Sequence, residues 1–166
     1  MKREVIAQNL QNALLFKEAT NAELSSFAEV ARVQSIPEGQ YVYRQGDASE
    51  VFFVIAEGEV ELVLVRDDGP SRVVGRIGVG GHFGETGILT GKPRSLSVRA
   101  LSDLVVICFD KRYFRTAFLS NSRIHKQLDA ALAERLRVAF VDQLDSSEEG
   151  VRQEDNSTAD EVILFK

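Results

Sequence analysis

A run of glycines, a carboxylate and an arginine crowd into one stretch of this 166-residue chain. Gly78 to Ala100 reads Gly-Val-Gly-Gly-His-Phe-Gly-Glu-Thr-Gly-Ile-Leu-Thr-Gly-Lys-Pro-Arg-Ser-Leu-Ser-Val-Arg-Ala. The pattern predicts a glycine-rich turn followed by one helical turn over Glu85–Leu89. Backbone amides at the start of such a turn point outward unsatisfied and favour an anion. Glycine at 84 and 87 allows that backbone to approach a ligand closely.

Arg94 is the sharper feature. Leu96, Val98 and Ala100 alternate along a predicted strand, and extending that strand backwards puts Arg94 on their inward face. A permanent charge aimed at an apolar interior is costly unless an anion meets it. A phosphate suits the guanidinium fork, because the contact can be bidentate. Glu85 lies nine positions earlier, and a carboxylate accepts hydrogen bonds from sugar hydroxyls. A ligand with one phosphate and one ribose hydroxyl in compact array, a cyclic nucleotide, would engage both. Taken as two isolated residues, Glu85 and Arg94 could equally form a buried structural ion pair.

The surrounding elements must place these residues. Residues 5–31 read as helices: Val5, Ile6, Leu10 and Ala13 fit one apolar face, and Thr20 with Glu23 three residues on is a capping-box pattern. From Gln40 to Phe109 short apolar runs are broken by Gly, Asp and Pro turns. The runs are Tyr41–Arg44, Val51–Ile55, Val60–Val65, Val73–Ile77, Leu96–Ala100 and Leu104–Phe109. That pattern predicts a sandwich or barrel. Val60, Leu62 and Leu64 are expected on one face. Beyond Asp110 the helical period returns, first in a short helix around Tyr113–Leu119. Ile124, Leu128, Leu132, Leu136 and Phe140 then recur every four residues to about Leu144. Ser146 to Glu161 is polar and acidic and is expected to be disordered.

Phe83-Gly84-Glu85-Thr86-Gly87-Ile88-Leu89, followed by Pro93-Arg94-Ser95-Leu96-Ser97-Val98-Arg99-Ala100, resembles the phosphate-binding cassette of the cyclic-nucleotide-binding domain family. That family includes regulatory subunits of cAMP-dependent protein kinase, cyclic-nucleotide-gated channels and bacterial catabolite activator proteins. The resemblance spans roughly residues 14–142, and the turns at Pro37–Gln40, Gln45–Asp47 and Ile55–Val60 also look like the family's. It implies a mainly β fold with flanking helices: an eight-stranded, jelly-roll-like β-roll with N-terminal helices and a long C-terminal helix. Together with the residue patterns this gives an expected domain of 1–145, with helices in 5–31, the β-roll over 33–109 and helices over 111–144, followed by the acidic tail 146–166. The resemblance further implies that Glu85 holds the ribose 2′-hydroxyl and Arg94 the cyclic phosphate. Gly84, Thr86 and Gly87 would offer backbone amides, and Ser95 a hydroxyl near the phosphate or purine. Two positions depart from the family pattern: Thr86, where an aliphatic residue is usual, and Leu96, where alanine is usual.

Composition narrows the class. The net charge of −5 is concentrated at the end: residues 146–166 hold six acids and two bases, leaving 19 acids and 18 bases before them. A body so balanced shows no basic face of a nucleic-acid binder, and with about 22 residues of acidic character after Leu144 in place of a helix-turn-helix, direct DNA binding is not expected. One cysteine, Cys108, rules out a disulfide framework, and on an apolar strand it reads as an inert core residue. Two histidines, His82 and His125, are too few for a metal-binding cupin-type enzyme. No nucleophile elbow, triad motif or nucleotide-triphosphate loop is present. Neither a secretory leader nor a 20-residue apolar span is evident. The expectation is a non-enzymatic, cytoplasmic cyclic-nucleotide sensor, with cAMP the first choice and cGMP the second. It would need no cofactor or metal and would bind neither nucleic acid nor membrane. Its last helix would signal to a protein partner or form a homodimer seam. The alternative is a ligand-independent adaptor on the same fold.

Overall fold

The computed structural model describes residues 1–135 and 137. The chain divides into two units, Met1–Leu128 and Asp129–Lys166. Within the second, residues 129–135 and 137 are helical, and Arg137 donates to the Glu134 carboxylate at 2.9 and 2.7 Å. Leu136, Phe140, Leu144 and the acidic tail 146–166 lie outside the described residues.

In the first unit, helix α1 (Arg3–Asn12) buries Ile6 and Leu10, one turn apart on a single face. Helix α2 (Asn21–Val30) starts at the expected capping box: Thr20 Oγ1 accepts from Glu23 N at 3.3 Å, and Thr20 N donates to Glu23 Oε2 at 2.7 Å. Eight strands follow: β1 (Arg32–Ile36), β2 (Tyr41–Tyr43), β3 (Val51–Glu57), β4 (Val60–Leu64), β5 (Arg72–Ile77), β6 (His82–Phe83), β7 (Ser97–Ala100) and β8 (Leu104–Asp110). They form two four-stranded antiparallel sheets, β1-β8-β3-β6 and β2-β7-β4-β5. This is the expected eight-stranded β-roll, open rather than closed as a barrel. β1 opens it although its residues show no strand pattern, because Ile36 is its one fully buried side chain.

The apolar runs of β3 and β8 are explained by burial on both faces. Phe53, Ile55, Val106 and Cys108 point into the roll. Phe52 and Phe109 point the other way, onto an aromatic cluster with ring centroids of Phe52–Phe114 at 4.8 Å and Phe109–Phe118 at 4.9 Å. Phe16 and Phe27 join Phe118 at 5.5 and 4.9 Å and so fasten the N-terminal helices to the sheet. After β8 come the short helix α4 (Lys111–Tyr113) and a π-turn (Phe114–Phe118), the latter closed by Leu119 N donating to Phe114 O at 3.3 Å. The next helix starts at residue 122, where Asn121 Oδ1 accepts from Arg123 N and Ile124 N at 3.1 and 3.2 Å. Ile124 and Leu128 of the predicted stripe are buried there.

Candidate functional site

The cassette helix α3 (Glu85–Thr90) lies between β6 and β7. Its N-cap, Gly84, has φ 88° in the left-handed region. A Cβ there would also sit 2.8 Å from Arg94 Nη1 and 3.0 Å from Val51 O. Only glycine suits both conditions. Gly87 is equally confined: a Cβ would collide with Ser49 Oγ and lie 2.8 Å from Lys92 O.

Glu85 is 1% exposed. Its Oε2 lies 3.5 Å from Nδ1 of His82, itself buried, an ion pair when the imidazole is protonated.

Arg94 is 5% exposed. The expectation of an inward, buried Arg94 holds, but its reason does not. β7 starts at Ser97, and Arg94 lies in the preceding loop. Leu96 is only half-buried while Ser97 is buried, so the alternation expected from Leu96 breaks there. Two backbone bonds place Arg94 instead: its N–H donates to Asp47 O at 2.8 Å, and Gly46 N–H donates to its carbonyl at 2.8 Å. Nη1 donates to Gly84 O at 2.7 Å and Nη2 to Val51 O at 2.6 Å. The guanidinium lies over the Tyr43 ring, 4.1 Å from its centroid. Nε is buried without a hydrogen-bond partner. Burial pushes the Arg94 pKa below its ordinary value, opposed by Tyr43, Glu85, Asp47 and Glu50.

Gly84 and Arg94 are therefore brought together, the Glu85 charge acts on Arg94, and Gly87 of the same helix as Glu85 packs against Ser49 and Lys92 instead. The side chains of Thr86 and Ser95 are exposed. Half-buried Tyr43, Leu62 and Ile77 pack on the roll's inner core and supply an apolar wall. Three residues of this region were not legible as site residues: Tyr43, His82 as a neighbour of Glu85, and Ser49, whose buried Oγ has no hydrogen-bond partner. No local sequence signal marks Ser49, because its contact with Gly87 exists only once the chain has folded.

The outer face of the β2-β7-β4-β5 sheet carries a different polar pair. Glu61 and Arg99 sit opposite each other on β4 and β7. Arg99 Nε donates to buried Glu61 Oε1 at 2.7 Å, and Nη2 also contacts that oxygen.

The model of the cyclic nucleotide-binding domain matches residues 33–121. That is more than half of the chain, which therefore belongs to the cyclic nucleotide-binding domain family. The chain is 30% identical over 108 residues to a cAMP-dependent protein kinase type II regulatory subunit from Drosophila melanogaster, covering 65% of this chain and 28% of the fly protein. It thus spans under a third of that relative's length. Among solved structures it is similar to the Thermus thermophilus catabolite activator protein, with 25% identity, a TM-score of 0.72, and 81% of this chain and 63% of that chain covered. It is also similar to the regulatory subunit of a cAMP-independent protein kinase A from Trypanosoma brucei, with 27% identity, a TM-score of 0.71, and 78% and 46% covered.

Proposed function

We propose that this domain is a cyclic-nucleotide sensor with cAMP as its first-choice ligand. The observation that carries the reading is the buried Arg94 guanidinium, with an unpartnered Nε, beside buried Glu85. A cyclic phosphate would take the guanidinium edge, and Glu85 would accept from the ribose 2′-hydroxyl. Backbone amides at Gly84, Thr86 and Gly87 and the exposed Ser95 hydroxyl would complete the phosphate contacts, while the apolar wall of Leu62 and Ile77 would meet the base. The role is binding rather than catalysis: in this reading the Glu85 carboxylate is taken up by the ribose hydroxyl and Arg94 by the phosphate, which leaves neither to attack the phosphorus or to activate a water. The setting is cytoplasmic, in keeping with a single cysteine held as a buried thiol.

Output runs through the C-terminal helical segment to a protein partner, which includes a second copy of this chain. Arg115 of the π-turn donates from Nη2 to Ile88 O of α3 at 3.2 Å, so movement of α3 bears on the segment leading into the last helix. For this to act as a switch, the ligand must bind the two positions of that segment with different affinities.

A thermal-shift series with cAMP, cGMP and the pyrimidine cyclic nucleotides tests the reading. A ligand at a hundred times its Kd adds about 2.7 kcal/mol of stability. The sensor reading expects the largest shift with cAMP. A flat response to all of them favours a second reading, a ligand-independent adaptor. That reading is supported by the two Arg94 Nη atoms, which already donate to carbonyls of the chain itself.

A further inference from the structure

Tyr43 reaches the roll interior because β2 carries a bulge. Across the β2–β7 ladder Tyr41 faces Arg99 and Tyr43 faces Val98, so two steps on β2 match one on β7. In an unbroken strand, residues two apart share a face; a bulge re-aims one of them. Tyr41 stays outside, under the Arg44 guanidinium at 4.0 Å and 5.9 Å from that of Arg99. Tyr43 turns inward, its ring 5.8 Å from Phe53 and 6.0 Å from Phe83, which stack on each other at 4.9 Å. On this aromatic bed lies Arg94, 4.1 Å above Tyr43 and 5.8 Å from Phe53.

We propose that Tyr43 is a positioning residue for Arg94, holding the guanidinium plane so that an anion meets its edge. The ring covers one face of the guanidinium, and the carbonyls of Gly84 and Val51 each take one N–H in its plane. The in-plane donors left are Nε and the second N–H of each Nη. A ring that fixes the fork beforehand removes an ordering cost from binding. The inference rests on the reading of Arg94 as the phosphate-binding residue, so its test carries one readout that needs no ligand.

That readout is the Nε–Hε correlation of Arg94 in the ligand-free full chain, assigned with Arg94→Lys. Wild type and Tyr43→Phe are expected to show a ring-current-shifted, slowly exchanging Hε, and Tyr43→Leu to lose the shift. The second readout is calorimetry with cAMP and with adenosine, which lacks the phosphate. Loss of a desolvated ring–guanidinium contact should weaken cAMP binding by roughly three- to thirty-fold in Tyr43→Leu. Tyr43→Phe should restore it, and adenosine affinity should not follow the same pattern. An Arg94 Hε identical in wild type and Tyr43→Leu would overturn the proposal, as would equal losses for cAMP and adenosine. If wild type binds no cyclic nucleotide, the sensor reading fails, and the Hε signal still decides the role of Tyr43. Tyr43→Ile, suited to a strand, is the second apolar replacement if Tyr43→Leu does not fold.

Discussion

Arg94 and Asp47 are joined backbone to backbone, with Arg94 N–H donating to Asp47 O at 2.8 Å, and this link sets the arginine in its loop. Asp47 holds the turn from its other end as well, since its Oδ2 accepts from Arg44 N–H at 2.8 Å. Asp47→Ala removes that side-chain bond. It should cost about 0.5–1.5 kcal/mol in urea unfolding and weaken cyclic-nucleotide binding through a looser Arg94. Asp47→Asn keeps an acceptor and should lose less of both.

Gly87 has no room for a methyl group. Its Cβ would strike Ser49 Oγ and approach Lys92 O at 2.8 Å. Gly87→Ala should lower stability by about 1–3 kcal/mol, the usual cost of overpacking. Differential scanning calorimetry reads the effect, and Ser49→Gly in the same chain should recover part of it. An unchanged Tm in Gly87→Ala would contradict the close packing of α3 on the Ser49 turn.

Glu23 joins α2 to the start of the last helix. Besides its capping box, Glu23 Oε1 accepts from Asn121 Nδ2 at 2.7 Å and from Arg123 Nη2 at 2.9 Å. The Thr20 backbone N–H, then Arg123, the Thr20 hydroxyl and Asn121, hold its carboxyl at about 2 against an ordinary 4.5, with burial opposing. The folded chain therefore binds this proton less readily than the unfolded chain. The stabilisation is fully present above about pH 4.5 and is lost as the pH falls towards 2. Glu23→Gln should flatten the stability profile in that window. At neutral pH it should cost about 0.5–2 kcal/mol, the range of a lost cap.

Cys108 is buried in β8, and burial pushes its thiol up to about 11, against a smaller lowering by Arg32. Only the thiolate reacts, so a disulfide reagent at pH 8 should label the folded chain at least roughly a hundredfold more slowly than the denatured chain. Rapid labelling of the native protein would show Cys108 to be accessible and thiolate-bearing.

Much of this arrangement was readable from residue types. The Thr20–Glu23 capping box, the strand runs and the turn-plus-helix around Glu85 each follow from local chemistry. Arg94 shows the boundary. Its burial was legible, yet strand alternation from Leu96 was the wrong cause, because loop hydrogen bonds to Gly46 and Asp47 set its position. Pairings distant in sequence left no local trace. The β2 bulge that turns Tyr43 inward depends on the register with β7, and β1 depends on pairing with β8. Glu61 is buried by Arg99 on the neighbouring strand, which alternation within β4 cannot reveal. The π-turn is equally silent, since its five-residue hydrogen bond has no side-chain signature.

In the proposed sensor Arg94 meets the phosphate of a cyclic nucleotide. Calorimetric titration of cAMP into wild type, Arg94→Lys and Arg94→Ala tests it most directly, with circular dichroism checking that each variant is folded. A lost charged hydrogen bond is worth about 1.5–3 kcal/mol, so Arg94→Ala should bind roughly ten- to a hundredfold more weakly, and Arg94→Lys should fall between. Equal affinity in wild type and folded Arg94→Ala would contradict the assignment of the site.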